Sequence, residues 1–129
     1  MKNNLENNNL DLIRAKNALK AAGKIGAGKD GGDIVKNIPA YIINDGFLAA
    51  AAFAANSGAG YEDVFAEIAS HLKEIGRIDS NTPEGSRGLL DYLVKQDSAK
   101  LRDVTAEAMA YLNYLRRFAA KNSDGAREQ

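Results

Sequence analysis

Cysteine is absent from the chain, which removes disulfides, thiolate metal sites and a cysteine nucleophile together. Tryptophan is absent too, and only two prolines occur. The single histidine, His71, has neither a second imidazole nor a thiol to complete a metal shell. Long apolar runs are also missing. The longest, Phe47 to Ala55, is far short of a bilayer span, and the N-terminus leads into asparagines rather than an apolar signal core. A soluble, cytoplasmic protein with no membrane role is therefore expected. Charge of one sign is lacking as well: 17 basic residues balance 17 acidic ones, so overall charge does not argue for nucleic acid.

What is present is helix-forming sequence. The 129 residues fit one domain, 45% of them are hydrophobic, and alanine and leucine dominate. No β-rich run is long enough to build a sheet. These features predict an all-α fold, a single-domain bundle of five to six helices over residues 10–122, between flexible tails at 1–9 and 123–129. The first helix is expected from Leu10 to Ala22, with Leu12, Ala15, Leu19 and Ala22 inward. A glycine-rich loop, Gly23 to Gly32, follows. Asp33 is expected to cap a helix from Ile34 to Asn44, which Pro39 kinks or begins. After the break at Asn44-Asp45-Gly46, a helix from Phe47 to Asn56 is apolar all round and reads as the buried centre. Helices from Glu62 to Ile75 (stopped by Gly76), Leu89 to Lys95 and Ser98 to Lys121 complete the set. The last carries Leu101, Val104, Ala108, Tyr111, Leu115 and Phe118 in alternating steps of three and four. Phe47, Phe53, Phe65, Leu72 and Leu115 are expected in one core.

Charge is unevenly distributed. Arg14 to Lys36 holds six basic residues against Asp30 and Asp33, whereas Glu62 to Glu84 holds six acidic residues against Lys73 and Arg77. One basic and one acidic face are compatible with that separation. Lys16, Lys20 and Lys24 recur every four residues along one side of the first helix, and Arg116, Arg117 and Lys121 end the last. From spacing alone, both phosphate binding and a plainly solvated face remain open. No aromatic residue interleaves with the lysines, so contact would be to the backbone rather than the bases.

Chemistry is harder to find. Gly23-Lys24-Ile25-Gly26-Ala27-Gly28-Lys29-Asp30 approaches a phosphate-binding loop, but Asp30 stands where a magnesium-holding hydroxyl belongs, and a helix rather than a strand precedes it. The carboxylate pairs Glu67 with Glu74 and Asp103 with Glu107 read as solvated-face residues. No catalytic residue, metal ligand or cofactor is expected.

Three stretches stand in order along the chain. The first is Val35-Lys36-Asn37-Ile38-Pro39-Ala40-Tyr41-Ile42-Ile43-Asn44-Asp45-Gly46-Phe47. An alanine-rich run from Leu48 to Phe53 follows, and then Ala106-Glu107-Ala108-Met109-Ala110-Tyr111-Leu112-Asn113-Tyr114-Leu115-Arg116-Arg117-Phe118-Ala119. This order resembles the small helical subunit of the type III-B (Cmr) CRISPR RNA-guided effector, over most of the chain. Tyr114 stands where that family usually has Trp, and the glycine-rich loop is more elaborate. The resemblance implies a non-catalytic subunit in antiviral defence. Copies would stack on one another beside the backbone and large subunits, with basic faces toward guide and target RNA. On that implication Lys16, Lys20, Lys24, Lys36, Arg116, Arg117 and Lys121 are the candidate nucleic-acid-binding residues. A helical scaffold that touches no RNA is the alternative.

Overall fold

Six helices make up nearly all of the computed structural model, which describes the backbone of residues 2–25, 29–57 and 59–128 and the side chains within 9–25, 34–57 and 60–119. They are α1 (Lys2–Ile25), α2 (Lys29–Asp45), α3 (Phe47–Ser57), α4 (Ala59–Glu74), α5 (Gly85–Leu93) and α6 (Ser98–Glu128), with no strand among the described residues. The fold is an all-α single domain. No described helix is long and apolar enough to cross a membrane.

Glycines set two of the corners. Gly46 adopts φ 92°, a left-handed conformation that side-chain-bearing residues avoid. Its N–H donates to the Ile42 carbonyl at 2.8 Å, while its own carbonyl accepts the Ala50 N–H at 3.0 Å, ending α2 and starting α3 in one residue. Gly76 (φ 76°) closes α4 with paired bonds from Gly76 N–H to the Lys73 carbonyl and from Arg77 N–H to the Leu72 carbonyl. This is the motif that satisfies a helix's last carbonyls. The N-terminus of α5 is closed from a distance, since the Glu62 carboxylate of α4 accepts the Ser86 N–H at 3.1 Å and the Ser86 hydroxyl.

Helix α4 is the hub, packing against all five other helices. Its Val64, Phe65, Ile68, Ala69 and Leu72 are buried with Phe47, Leu89, Val104, Tyr111 and Leu115 in a single cluster. Helices α1 and α2 lie along α6, while α3 and α5 pack on each other and on α4. The α6 seam holds as expected, with Val104, Ala108, Tyr111 and Leu115 buried and Leu101 and Phe118 packed at its margins.

Several expectations change. Helix α3 is an edge element, buried only through Phe47, Ala50, Ala51 and Ala54. Its apolar character is mostly alanine, and each methyl hides too little area to pull a whole helix inside. Phe53 accordingly remains 44% exposed and outside the core. Helix α1 is rotated from its expected setting. Ala18, Ala21 and Ala22 face inward, whereas Leu12 and Leu19 are 67% and 59% exposed. Helical backbone begins at Lys2, ahead of Leu10, and reaches Glu128, beyond Lys121. The glycine-rich stretch is helical at both ends: Gly23 to Ile25 finishes α1 and Lys29 to Gly32 begins α2. Residues 26–28 of the loop-like motif lie outside the described residues. Asp33 is inside α2 rather than at its start, and Pro39 sits within that helix.

Two glycines test the packing with opposite signs. A Cβ at Gly88 would run into the Pro83 carbonyl, whereas one at Gly23 meets nothing. Gly88→Ala is expected to destabilise by about 1–3 kcal/mol. Gly23→Ala is expected to stabilise by about 0.5–1 kcal/mol, the helix-propensity difference. Urea unfolding of the two variants checks both.

Candidate functional site

The most ordered chemistry in the molecule lies where α1, α4 and α6 meet. Glu107 of α6 is only 2% exposed. Arg14 of α1 grips it with both arms, Nε to Oε2 at 2.8 Å and Nη2 to Oε1 at 2.7 Å. His71 of α4 donates from Nε2 to Glu107 Oε2 at 2.9 Å, and its Nδ1 accepts from Asn17 Nδ2 at 2.9 Å. The imidazole lies flat on Tyr111, with ring centroids 4.5 Å apart and 16° between planes. A shallow polar hollow beside this junction is lined by Asn17, Lys20, Lys24, Glu67, His71 and Glu74, among others.

Charge states follow from these contacts. Burial pushes the Glu107 carboxyl up, but the bonds from Arg14 and His71 outweigh it and hold it below the usual carboxylate range. Hydrogen bonding to Glu107 raises Arg14 further above its ordinary value. Burial dominates at His71 and lowers its pKa, despite the carboxylate partner. The nearby charge of Arg14, which already neutralises Glu107, lowers it a little further. Burial likewise raises the Tyr111 phenol. Both imidazole nitrogens are committed, and the junction ties three helices together.

This corrects the expectation that Glu107 sits on a solvated face. Its partner Arg14 lies 93 residues away, a pairing that local spacing does not reveal. A signal was nonetheless present. Glu107 falls between Val104 and Tyr111, and His71 between Ile68 and Ile75, in the register of their helices' inner stripes. A charge or imidazole in such a register needs a buried partner.

The candidate basic residues are dispersed. Lys16, Lys20, Lys24 and Lys36 are exposed on α1 and α2, and Arg116 and Arg117 on α6. The Lys121 side chain lies outside the described residues. Asp11 sits against Tyr114, holding its phenol above the ordinary value by hydrogen bonding, and Arg14 reaches Glu107, so α1 and α6 run antiparallel. Arg116 and Arg117, beyond Tyr114, therefore lie toward the opposite end of the helix pair from Lys20 and Lys24. The basic and acidic runs are not on opposed faces, because α1 packs directly on α4. Lys24 Nζ is 3.7 Å from Glu67. Among the described residues, no cluster of three His, Asp or Glu side chains is placed to hold a metal ion.

The junction has a pH signature. A histidine with a lowered native pKa is bound to fewer protons when folded, so stability falls as pH drops through about 6.5. Glu107, lowered in the native state, adds a second loss as pH falls below the ordinary carboxylate value. Because His71 is the only histidine, the first loss is assignable to it. His71→Gln is expected to flatten the slope of stability against pH between about 7 and 5.5. Glu107→Gln, which leaves Arg14 facing a neutral acceptor, is expected to cost roughly 2–4 kcal/mol at pH 7. Urea unfolding across pH measures both.

The family model for CRISPR-associated protein (Cas_Cmr5) matches residues 11–121. No curated protein sequence and no solved structure matches the chain. The family match runs from α1, just before Arg14, into α6 beyond Phe118, and so takes in all six helices and the whole buried junction. The chain belongs to the Cas_Cmr5 family and is a small subunit of the type III-B (Cmr) CRISPR complex.

Proposed function

We propose that this subunit is non-catalytic, stacks in several copies beside the guide-RNA-binding backbone, and touches guide and target RNA through exposed cations. One observation carries the RNA contact. Arg14, Lys24, Lys73, Arg77 and Arg87 are held in ion pairs with carboxylates. Among the described residues, Lys16, Lys20, Lys36, Arg116 and Arg117 are in no such pair. Arg116 donates only to Asn113, at 3.3 Å. A cation without a carboxylate partner is free to meet a phosphate, and phosphate contacts position RNA without reading its bases. Lys95, Lys100 and Arg102, around the α5–α6 corner, are likewise without an ion pair among the described residues, and they serve as a control surface.

A second reading applies to part of α1. Lys16 stands between Leu12 and Leu19, and exposed leucines favour a protein neighbour over a polyphosphate. The RNA role therefore rests on Lys20, Lys36, Arg116 and Arg117.

Charge reversal tests the reading in the reconstituted complex. Lys20→Glu with Lys36→Glu, and separately Arg116→Glu with Arg117→Glu, are expected to weaken target-RNA capture several-fold. Each lost contact is expected to flatten the plot of log K against log salt by about 0.7–0.9, equally for unrelated guide sequences. Reversal at Lys95, Lys100 and Arg102 is expected to have a smaller effect. Native mass spectrometry separates failed assembly, which would make the arginines anchors for a neighbouring subunit, from failed RNA binding. Assembled complexes that capture target RNA like the wild type would sink the RNA role and leave the scaffold reading.

A further inference from the structure

Among the apolar side chains left in solvent, two groups stand out for what surrounds them. On α1, Leu12 and Leu19 lie on one outward stripe with Lys16 between them and Lys20 alongside. The other surface is aromatic. Tyr41 of α2, Phe53 of α3 and Tyr61 of α4 form a closed triangle, with ring centroids 5.2 Å (Tyr41–Phe53), 5.0 Å (Phe53–Tyr61) and 5.9 Å (Tyr41–Tyr61) apart. Phe53 is the most exposed of the three. Three helices converge to hold these rings edge to face, a rigid arrangement suited to receiving aliphatic side chains.

The two surfaces have surroundings of opposite charge. From Asn37 to Leu72 there is no lysine or arginine, while Asp45, Glu62, Asp63 and Glu67 all occur. Glu62 is engaged with Ser86 and Glu67 with Lys24, which leaves Asp45 and Asp63 exposed, with Asp45 within electrostatic reach of Tyr41. An aromatic platform for RNA bases would sit among cations; this one has a carboxylate within reach. Around the α1 stripe the balance reverses. Lys16 and Lys20 stand there without a carboxylate partner among the described residues, and the one carboxylate nearby, Asp11, turns toward Arg14 at 3.7 Å.

Their positions keep the surfaces apart within one molecule. Asn17 pairs with His71 and Lys24 with Glu67, so α1 runs antiparallel to α4. The stripe around Leu12 and Lys16 then flanks the C-terminal half of α4, whereas Tyr61 lies near its N-terminus. At 1.5 Å per residue the ten residues between Tyr61 and His71 span about 15 Å. Unlike patches make a heterologous contact, which passes from copy to copy as a ring or an open stack instead of pairing two copies symmetrically.

We propose that the Leu12–Lys16–Leu19 stripe of one copy seats on the Tyr41–Phe53–Tyr61 surface of a second copy, with Lys16 against Asp45. The assignment rests on the stacking role above and names the two faces that carry it. Lys16 then answers to the neighbour's carboxylate, while Lys20, at the margin, remains with Lys36, Arg116 and Arg117 for RNA. Two leucines and three rings cover less than the roughly 1,200 Å² of a standard interface. Free copies therefore associate weakly, and neighbouring subunits strengthen the contact by holding copies close together.

The absence of native cysteine makes the test clean. A double variant, Leu19→Cys with Phe53→Cys, places one thiol on each surface. Treating the assembled complex with a short bis-maleimide is expected to produce a ladder of linked copies on a denaturing gel. Neither single variant is expected to cross-link by itself, and an equal mixture of the two is expected to give dimers and nothing longer. Asp45→Lys is expected to reduce linking several-fold, and adding Lys16→Glu is expected to restore it. Several copies per complex by native mass spectrometry without a ladder would overturn this pairing of faces and leave the stacking role standing. Cross-linking by Leu19→Cys alone would also overturn it, because like faces would then be meeting. A single copy per complex would overturn the stacking role and this assignment together.

Discussion

A carboxylate almost sealed from water has to be neutralised where it stands, and Glu107 achieves this by drawing Arg14 from α1 and His71 from α4. Burying such a group unpaired would cost several kcal/mol, so the helices have little freedom in how they meet. Arg14 spans the carboxylate with two parallel bonds, a geometry that fixes angle as well as distance. His71, held flat by Tyr111 and capped by Asn17, fixes the third helix. An apolar cluster of similar volume would stabilise as well or better. What the ionic cluster adds is a specified rotation for each helix.

That rotation determines the surface. Once Arg14 and Asn17 face inward, Ala18, Ala21 and Ala22 follow at helical spacing, and α1 approaches α6 through methyl groups. Leu12 and Leu19 are then carried outward with Lys16. Two large apolar residues stay in solvent because the opposite face of the same helix has a stronger requirement to satisfy. The exposed stripe is thus a consequence of the buried junction. A change at Glu107 would be felt at the surface of α1 as well as in the stability of the fold.

This also explains which parts of the structure were legible in the sequence. The α6 seam was readable because large apolar residues recur every three or four positions, and the turns at Gly46 and Gly76 were readable because glycine is the residue that adopts positive φ. The rotation of α1 was not. Placing its largest apolar residues inward is sound for an isolated amphipathic helix, but here polar side chains had partners 54 and 93 residues away. Helix α3 failed for a related reason: nine apolar residues in a row suggest a core, yet most are alanine, which gains little from burial. The cap on α5 was hidden in the same way, because Glu62 comes from another helix rather than from the segment it closes. The candidate basic residues whose side chains are described lie at exposed positions, but their pairing was not legible, and only the folded chain separates Lys24, tied to Glu67, from Lys20, which is not.

Neutral net charge takes on a different meaning once the pairs are placed. Part of the balance lies in pairs within the molecule, where Arg14 meets Glu107, Lys24 meets Glu67, Arg77 meets Asp103 and Lys73 meets Glu84. Each pair removes one cation and one anion from the set available to partners. What remains among the described residues is spread out: unpaired cations on α1, α2, the α5–α6 corner and the far part of α6, and exposed carboxylates that include Asp45, Asp63 and Glu74. Each remaining charge is weak and screened on its own, over about 8–10 Å in ordinary salt. In the stacked arrangement proposed above, such short-range fields would add, because neighbours hold them in register. Free in solution, the same chain presents no large field of either sign, and its partners are selected by shape and proximity rather than by long-range attraction.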